Sequence, residues 1–142
     1  MKLFFDTNVL LYSTDDAEPA KQRRARQWLD EAVRAGSLVV STQVLIELFA
    51  NLVRKQRTPR PVAERAVAFY AAGPVVETDV SLLVTATAHS VRWQLSIFDA
   101  LIVAAAQRAK ADVLLSEDFQ PGQRFDGLTV FDPFAGPSES AA

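Results

Sequence analysis

Four carboxylates, Asp6, Glu47, Asp99 and Asp118, are conspicuous because each interrupts or abuts an apolar segment. Asp6 follows Leu3-Phe4-Phe5 and precedes the turn Thr7-Asn8, which places it at the carboxyl end of a strand, where open parallel sheets bind ligands. Asp118 follows Val113-Leu114-Leu115-Ser116-Glu117 in the same way, so the two acids converge if their strands are neighbours. Asp99 stands three residues after Ser96, and Ser96-x-x-Asp99 also matches a capping box, in which the acid serves backbone amides instead. A carboxylate entering so apolar a helix is poorly hydrated and needs a countercharge, and no neighbour in sequence supplies one. Glu47 is the single charge in Val44-Leu45-Ile46-Glu47-Leu48-Phe49, but Gln43, Glu47, Asn51 and Arg54 also form an ordinary polar stripe. Periodicity leaves its role open.

Four acids at one site repel one another unless divalent cations bind, so the set predicts a hard-metal site for magnesium or manganese, ions that prefer oxygen ligands and keep several waters. The chemistry expected there is phosphodiester hydrolysis, with a metal lowering the pKa of a water and stabilising the departing 3′ oxygen. Other chemistries are poorly stocked. His89 is the only histidine, which excludes a paired-histidine ribonuclease, and it reads as a residue on the side of a helix. There is no cysteine, hence no thiolate zinc site, disulfide or cysteine nucleophile. No G-x-S-x-G, G-x-x-x-x-G-K-[ST] or G-x-G-x-x-G motif occurs. Asp6-Thr7-Asn8 lacks the second aspartate of an aspartyl-phosphate phosphatase.

The elements that must position these acids alternate in character, the pattern of an α/β domain with a mostly parallel sheet. Strands are expected at Lys2–Phe5, Leu38–Val40, Val75–Glu77, Val113–Leu115 and Leu128–Val130. Helices are expected at Pro19–Ala35, ended by Gly36, at Val44–Gln56, at Pro61–Ala72, at Asp79–Trp93 behind an Asp79 cap, and at Ile97–Lys110. The run Ala100–Ala106 is apolar on nearly every face, which predicts a buried central helix. The tail from Pro133 to Ala142, rich in proline, glycine and small polar residues, reads as flexible.

At 142 residues and 49% hydrophobic content the chain suits one domain, residues 1–132, with one core. No signal-peptide core and no run of the roughly 20 apolar residues that span a bilayer is present, so a soluble cytoplasmic protein without membrane contact is expected. The net charge of −2 is uneven: residues 21 to 65 hold ten basic and four acidic residues, +6, leaving −8 elsewhere. A local positive field beside an acidic site suits an anionic polymer. Arg54, Lys55 and Arg57 are its candidate nucleic-acid contacts, although two solvated helix faces would give the same composition.

With Asp6, Glu47, Asp99 and Asp118 in this order, the sequence resembles the PIN-domain nucleases, and more narrowly the VapC-type toxins of type II toxin–antitoxin pairs. Phe5-Asp6-Thr7-Asn8-Val9-Leu10, Glu47 in its apolar helix, Phe98-Asp99 with the run to Ala106, and Leu115-Ser116-Glu117-Asp118-Phe119 carry the resemblance, over residues 1 to 132. The resemblance implies a three-layer α/β/α domain with a five-stranded parallel sheet, and a magnesium- or manganese-dependent endoribonuclease. It implies an acidic core of Asp6, Glu47 and Asp99 with Asp118 as fourth acid, and metal ligation by Asp6, Asp99 and Asp118. Asn8 matches a residue orienting the first aspartate and Ser116 a supporting hydroxyl. Glu117 is an additional acid of lower rank, since it follows a strand end and can point to solvent. A homodimer and an inhibitory cognate antitoxin are implied too, with Pro19–Ala35 and Val44–Gln56 as a clamp for the antitoxin. A PIN-like RNA-processing nuclease without an antitoxin, and a non-catalytic binding module, are the alternatives.

Overall fold

Strands buried on both faces are near-continuous apolar runs, and the short runs of this chain pair accordingly. In the computed structural model, which describes residues 1–135, they are β1 (Leu3–Phe5), β2 (Leu38–Ser41), β3 (Val75–Val76), β4 (Val113–Leu115), β5 (Arg124–Phe125) and β6 (Leu128–Phe131). The sheet order is β3-β2-β1-β4-β6-β5, parallel throughout except for β5, which pairs antiparallel with β6. Phe4, Phe5, Val40, Leu114 and Leu115 are wholly buried. Five strands were expected and six are present. The extra one has two residues, too few to show an alternating pattern, and turns back through Asp126, whose left-handed backbone (φ 58°) aspartate tolerates.

The helices are α1 (Thr7–Tyr12), α2 (Pro19–Ala35), α3 (Thr42–Arg54), α4 (Arg60–Ala71), α5 (Val80–Trp93) and α6 (Ile97–Arg108). α2 has the expected bounds, with proline in its first turn and Gly36 closing it in the left-handed conformation (φ 67°). α3 starts at Thr42 because Ser41 caps it, Oγ accepting from Val44 N–H at 3.3 Å. α5 is capped by Asp79 as expected, 2.8 Å from Leu82 N–H. α6 is the central helix: all seven residues from Ala100 to Ala106 are buried. The helix missed from sequence is α1, whose six residues sit where a turn was expected.

Right-handed crossovers assign the layers. The path β1 to β2 to β3 advances in one direction and places α1 to α4 on one face, whereas the return from β3 to β4, on the far side of β1, places α5 and α6 on the other. α1 packs against α2 and α3, α3 against α4, and α5 against α6. The reversal of direction lies between β1 and β4, so the chain diverges just beyond their carboxyl ends and leaves a crevice there. The registers Phe5↔Leu115 and Leu3↔Leu38 bring Asp6, Ser116 and Ser41 to the same edge.

Packed chain continues past residue 132, the expected end of the domain. Pro133 is buried, its carbonyl accepts from Arg24 Nε at 3.1 Å, and the Phe134 ring packs edge-on against Tyr12 at 4.9 Å. The rest of the expected tail, 136–142, lies outside the described residues. Among the described residues no helix is long and apolar enough to cross a membrane.

Candidate active site

Of the four buried polar or charged residues in the described chain, Asp6, Thr7 and Ser116 meet at the crevice, and the fourth, Ser41, caps α3. Asp6 is only 4% exposed. It ends β1 and caps α1: Oδ1 accepts from Thr7 N–H at 2.7 Å and Oδ2 from the Ser116 hydroxyl at 2.7 Å. Ser116, at the end of β4, accepts in turn from Asp118 N–H at 3.0 Å, so a single hydroxyl fixes the spacing of two acids. Asn8, in the first turn of α1, donates Nδ2 to Asp118 Oδ2 at 3.0 Å. Its Oδ1 is buried and has no partner.

Glu47 reaches the site from the second turn of α3. Its Oε1 accepts from the Thr7 hydroxyl at 2.6 Å and its Oε2 from Gln43 Nε2 at 3.2 Å. The polar stripe exists, since Asn51 Nδ2 donates to Glu47 O and Arg54 to Asn51 Oδ1, and its Glu47 end turns inward to Thr7. At Asp99 one half of the capping box is present, Ser96 Oγ accepting from Asp99 N–H at 3.1 Å. Among the described residues no hydrogen bond returns from Ser96 N–H to the carboxylate, whose charged form the Ser96 side chain still favours.

The electrostatics follow from this crowding. Burial pushes Asp6 up to about 7; the bonds from Ser116 and Thr7 pull it back in part, and Asp118 and Glu47 push it further. Burial also raises Asp99, helped by Asp118 and Glu47. Asp118 is raised by partial burial and by Glu117, Glu47 and Asp132, against the Asn8 bond. Asp6 and Asp99 are thus each disfavoured as anions by Asp118 and Glu47. None of the ion pairs of the described residues, Lys21–Glu117, Arg92–Asp126 and Arg108–Asp79, involves them. As the side chains lie, no three acids or histidines among the described residues are close enough to enclose an ion. The donor set nevertheless suits a hard divalent cation: desolvated carboxylates without a countercharge, and one unpartnered buried amide oxygen.

Glu117 is neither solvent-facing nor turned to the other acids. Its Oε1 takes a bond from Lys21 Nζ at 2.9 Å and its Oε2 from Tyr12 OH at 2.8 Å, tying the Asp118 segment to α1 and α2. The Lys21 ammonium is held well above its usual range by that carboxylate. Arg54 and Lys55 lie at the C-terminal end of α3 and Arg57 just beyond it, about two turns of α3 or more from Glu47. His89 is half-buried on α5, where Nε2 meets Gln107 Oε1 at 2.6 Å and the ring packs on Trp93. Sequence reasoning passed over Thr7, Gln43, Tyr12 and Lys21. Only Gln43 carried a signal, its position four residues before Glu47; the others depend on long-range contacts.

Ser116→Ala removes a bond to a buried carboxylate and the acceptor for Asp118 N–H. It should lower stability by about 2 kcal/mol, read as a shifted denaturant midpoint at unchanged m-value.

The PIN domain family model matches residues 3–124, and the chain belongs to that family. Solved structures share its fold. A toxin–antitoxin complex from Klebsiella pneumoniae aligns at 20% identity over 94% of this chain and 98% of that one, with a TM-score of 0.67. VapC20 of Mycobacterium tuberculosis, described as a sarcin-ricin-loop-cleaving toxin, aligns at 20% identity over 82% and 92%, with a TM-score of 0.62. VapBC of Salmonella typhimurium bound to DNA aligns at 18% identity over 94% and 98%, with a TM-score of 0.62. No curated protein matches the chain.

Proposed function

We propose that the chain is the toxin of a toxin–antitoxin pair, an endoribonuclease that depends on magnesium or manganese. The observation that carries this reading is the buried Asp6, linked through Ser116 to the Asp118 segment and through Thr7 to Glu47, with no ion pair to Asp6, Glu47, Asp99 or Asp118 among the described residues. PIN membership and the toxins among the solved structures of the same fold support it.

Asp6, Asp99 and Asp118 are the residues that would hold the cation. When bound, a divalent cation supplies positive charge that acidifies a water and stabilises the leaving 3′ oxygen. Ser116 and Thr7 N–H fix the Asp6 carboxylate so that it does not reorganise when charge develops. Asn8 does the same for Asp118. Both Glu47 oxygens already accept from Thr7 and Gln43, which suits Glu47 to accept a proton from the attacking water at a remaining lone pair, outside the cation's ligand set. Glu117 anchors the Asp118 segment through Lys21 and Tyr12.

An antitoxin segment has a receptive surface around the acids. Ile46 on α3 and Phe98 beside Asp99 are 65% and 64% exposed, and α2 and α3 flank α1. The exposed Val80, Val84 and Val91 of α5 provide a face for a homodimer. Arg54, Lys55 and Arg57 would add phosphate contacts. Neutralising Arg54 and Lys55 together should weaken RNA binding and reduce the salt dependence of log Kd by about 1.4.

Cleavage-site mapping on total RNA tests the reading. Purified wild-type chain free of antitoxin should give discrete cuts with Mn2+, and Asp99→Asn none. Equal cutting by Asp99→Asn, or no cutting by either, would refute it.

A further inference from the structure

A cleft of about 310 Å³ opens between the start of α2 and the chain at Phe134 and Ala135, walled by Lys21, Arg23, Arg24, Gln27 and Phe134. Two of its wall residues contact Tyr12 and Glu117. Lys21 Nζ bonds both Glu117 and Tyr12 OH, at 2.9 and 3.2 Å, and Phe134 packs on the Tyr12 ring. Glu117, bonded to the Lys21 of the wall, is the residue before Asp118 in sequence.

The charges of its wall are unevenly used. Lys21 is neutralised by Glu117, whereas Arg23 and Arg24 have no carboxylate partner among the described residues. Arg24 is also held in place: Nε donates to the Pro133 carbonyl at 3.1 Å, which orders the guanidinium and leaves its outer N–H groups without an acid. A positioned arginine fork of this kind is suited to bidentate contact with phosphate. Phe134 adds an apolar aromatic wall beside it, the kind of surface on which a base or ribose of single-stranded RNA packs.

We infer that this cleft is the path of the RNA backbone on the Asp118 side of the cleavage site, with Arg23 and Arg24 contacting phosphates adjacent to the one that is cut. The inference rests on the ribonuclease reading above and adds a substrate surface that the +6 charge of residues 21 to 65 did not localise. An acidic peptide is the other occupant the charges admit. RNA is favoured because the cleft carries an aromatic wall beside its cations and its Lys21 is tied through Glu117 to the segment that bears Asp118.

The test is binding of a fluorescent single-stranded RNA to the full chain carrying Asp99→Asn, which prevents cleavage, across a salt series. Adding Arg23→Gln and Arg24→Gln should weaken binding about tenfold or more. It should also reduce the slope of log Kd against log salt by about 1.4, two phosphate contacts at about 0.7 each on a single strand. Arg23→Gln alone, at an exposed position whose side chain makes no hydrogen bond among the described residues, should show about half of the slope change and guards against misfolding of the double variant. RNA bound with unchanged affinity and slope by both variants would overturn the inference while leaving the ribonuclease reading intact. Loss of poly-glutamate binding with RNA affinity unchanged would also overturn it, by assigning the cleft to an acidic protein partner. Failure of the parent to bind RNA at all would defeat the ribonuclease reading, and this path with it.

Discussion

Asp6→Asn is expected to eliminate RNA cleavage, by about a thousandfold or more, while raising the thermal midpoint of the metal-free protein at pH 8. The two effects have one cause. Asp6 is almost fully buried, shares its surroundings with Asp118 and Glu47, and has no cation beside it, so its charged form is disfavoured in the fold. Asparagine keeps an acceptor for Thr7 N–H and offers Nδ2 to Ser116 Oγ, which preserves the geometry and deletes the charge. The two outcomes together would mark Asp6 as a carboxylate kept for function against the preference of the fold. A variant that lost activity together with stability would indicate instead that Asp6 serves only as the cap of α1, a role worth about 0.5–2 kcal/mol.

The second large effect is the pH dependence of stability. Asp6 ionises near 3.8 in the unfolded chain and near 7 in the fold, so the folded state binds the proton more tightly. Its stabilising contribution is complete below pH 3.8 and is lost as pH rises through about 7. A shift of about three units corresponds to about 4 kcal/mol, and Asp99 and Asp118 act in the same direction. Metal-free wild-type protein should melt about 10 °C lower at pH 8 than at pH 5, and Asp6→Asn should remove most of that difference. Mn2+ at pH 8 should restore the wild-type midpoint, by about 3 kcal/mol at a hundredfold excess over Kd, and leave Asp6→Asn nearly unmoved. Differential scanning fluorimetry over a pH series, with and without Mn2+, reads all of these. A flat wild-type profile, or an equal Mn2+ response in the variant, would contradict the electrostatic account.

Much of this was legible in the residues because one interaction dominated each legible feature. α2 was readable to the residue because Pro19 and Gly36 mark its ends and Ala25, Leu29 and Ala32 mark its buried face. The burial of α6 followed from seven successive apolar residues. Asp6 and Asp118 were readable from their places at strand ends, where the chain must leave the sheet. What escaped depends on tertiary contact. α1 is too short to have a visible period and is set by Asp6 capping and by packing between α2 and α3. Glu47 has the periodicity of a surface residue, and only Thr7, 40 positions away, turns it inward. Glu117 pairs with Lys21, 96 positions away, a separation that no local pattern encodes.

The most direct test of the central claim is the cation requirement of cleavage. Purified antitoxin-free protein is incubated with single-stranded RNA in Mg2+ or Mn2+ and, in parallel, in excess EDTA. The account predicts defined products in the first two and intact RNA in EDTA, with cleavage restored when the cation is returned. Equal cleavage in EDTA would contradict it, because the acids would then be acting without the charge that their arrangement requires.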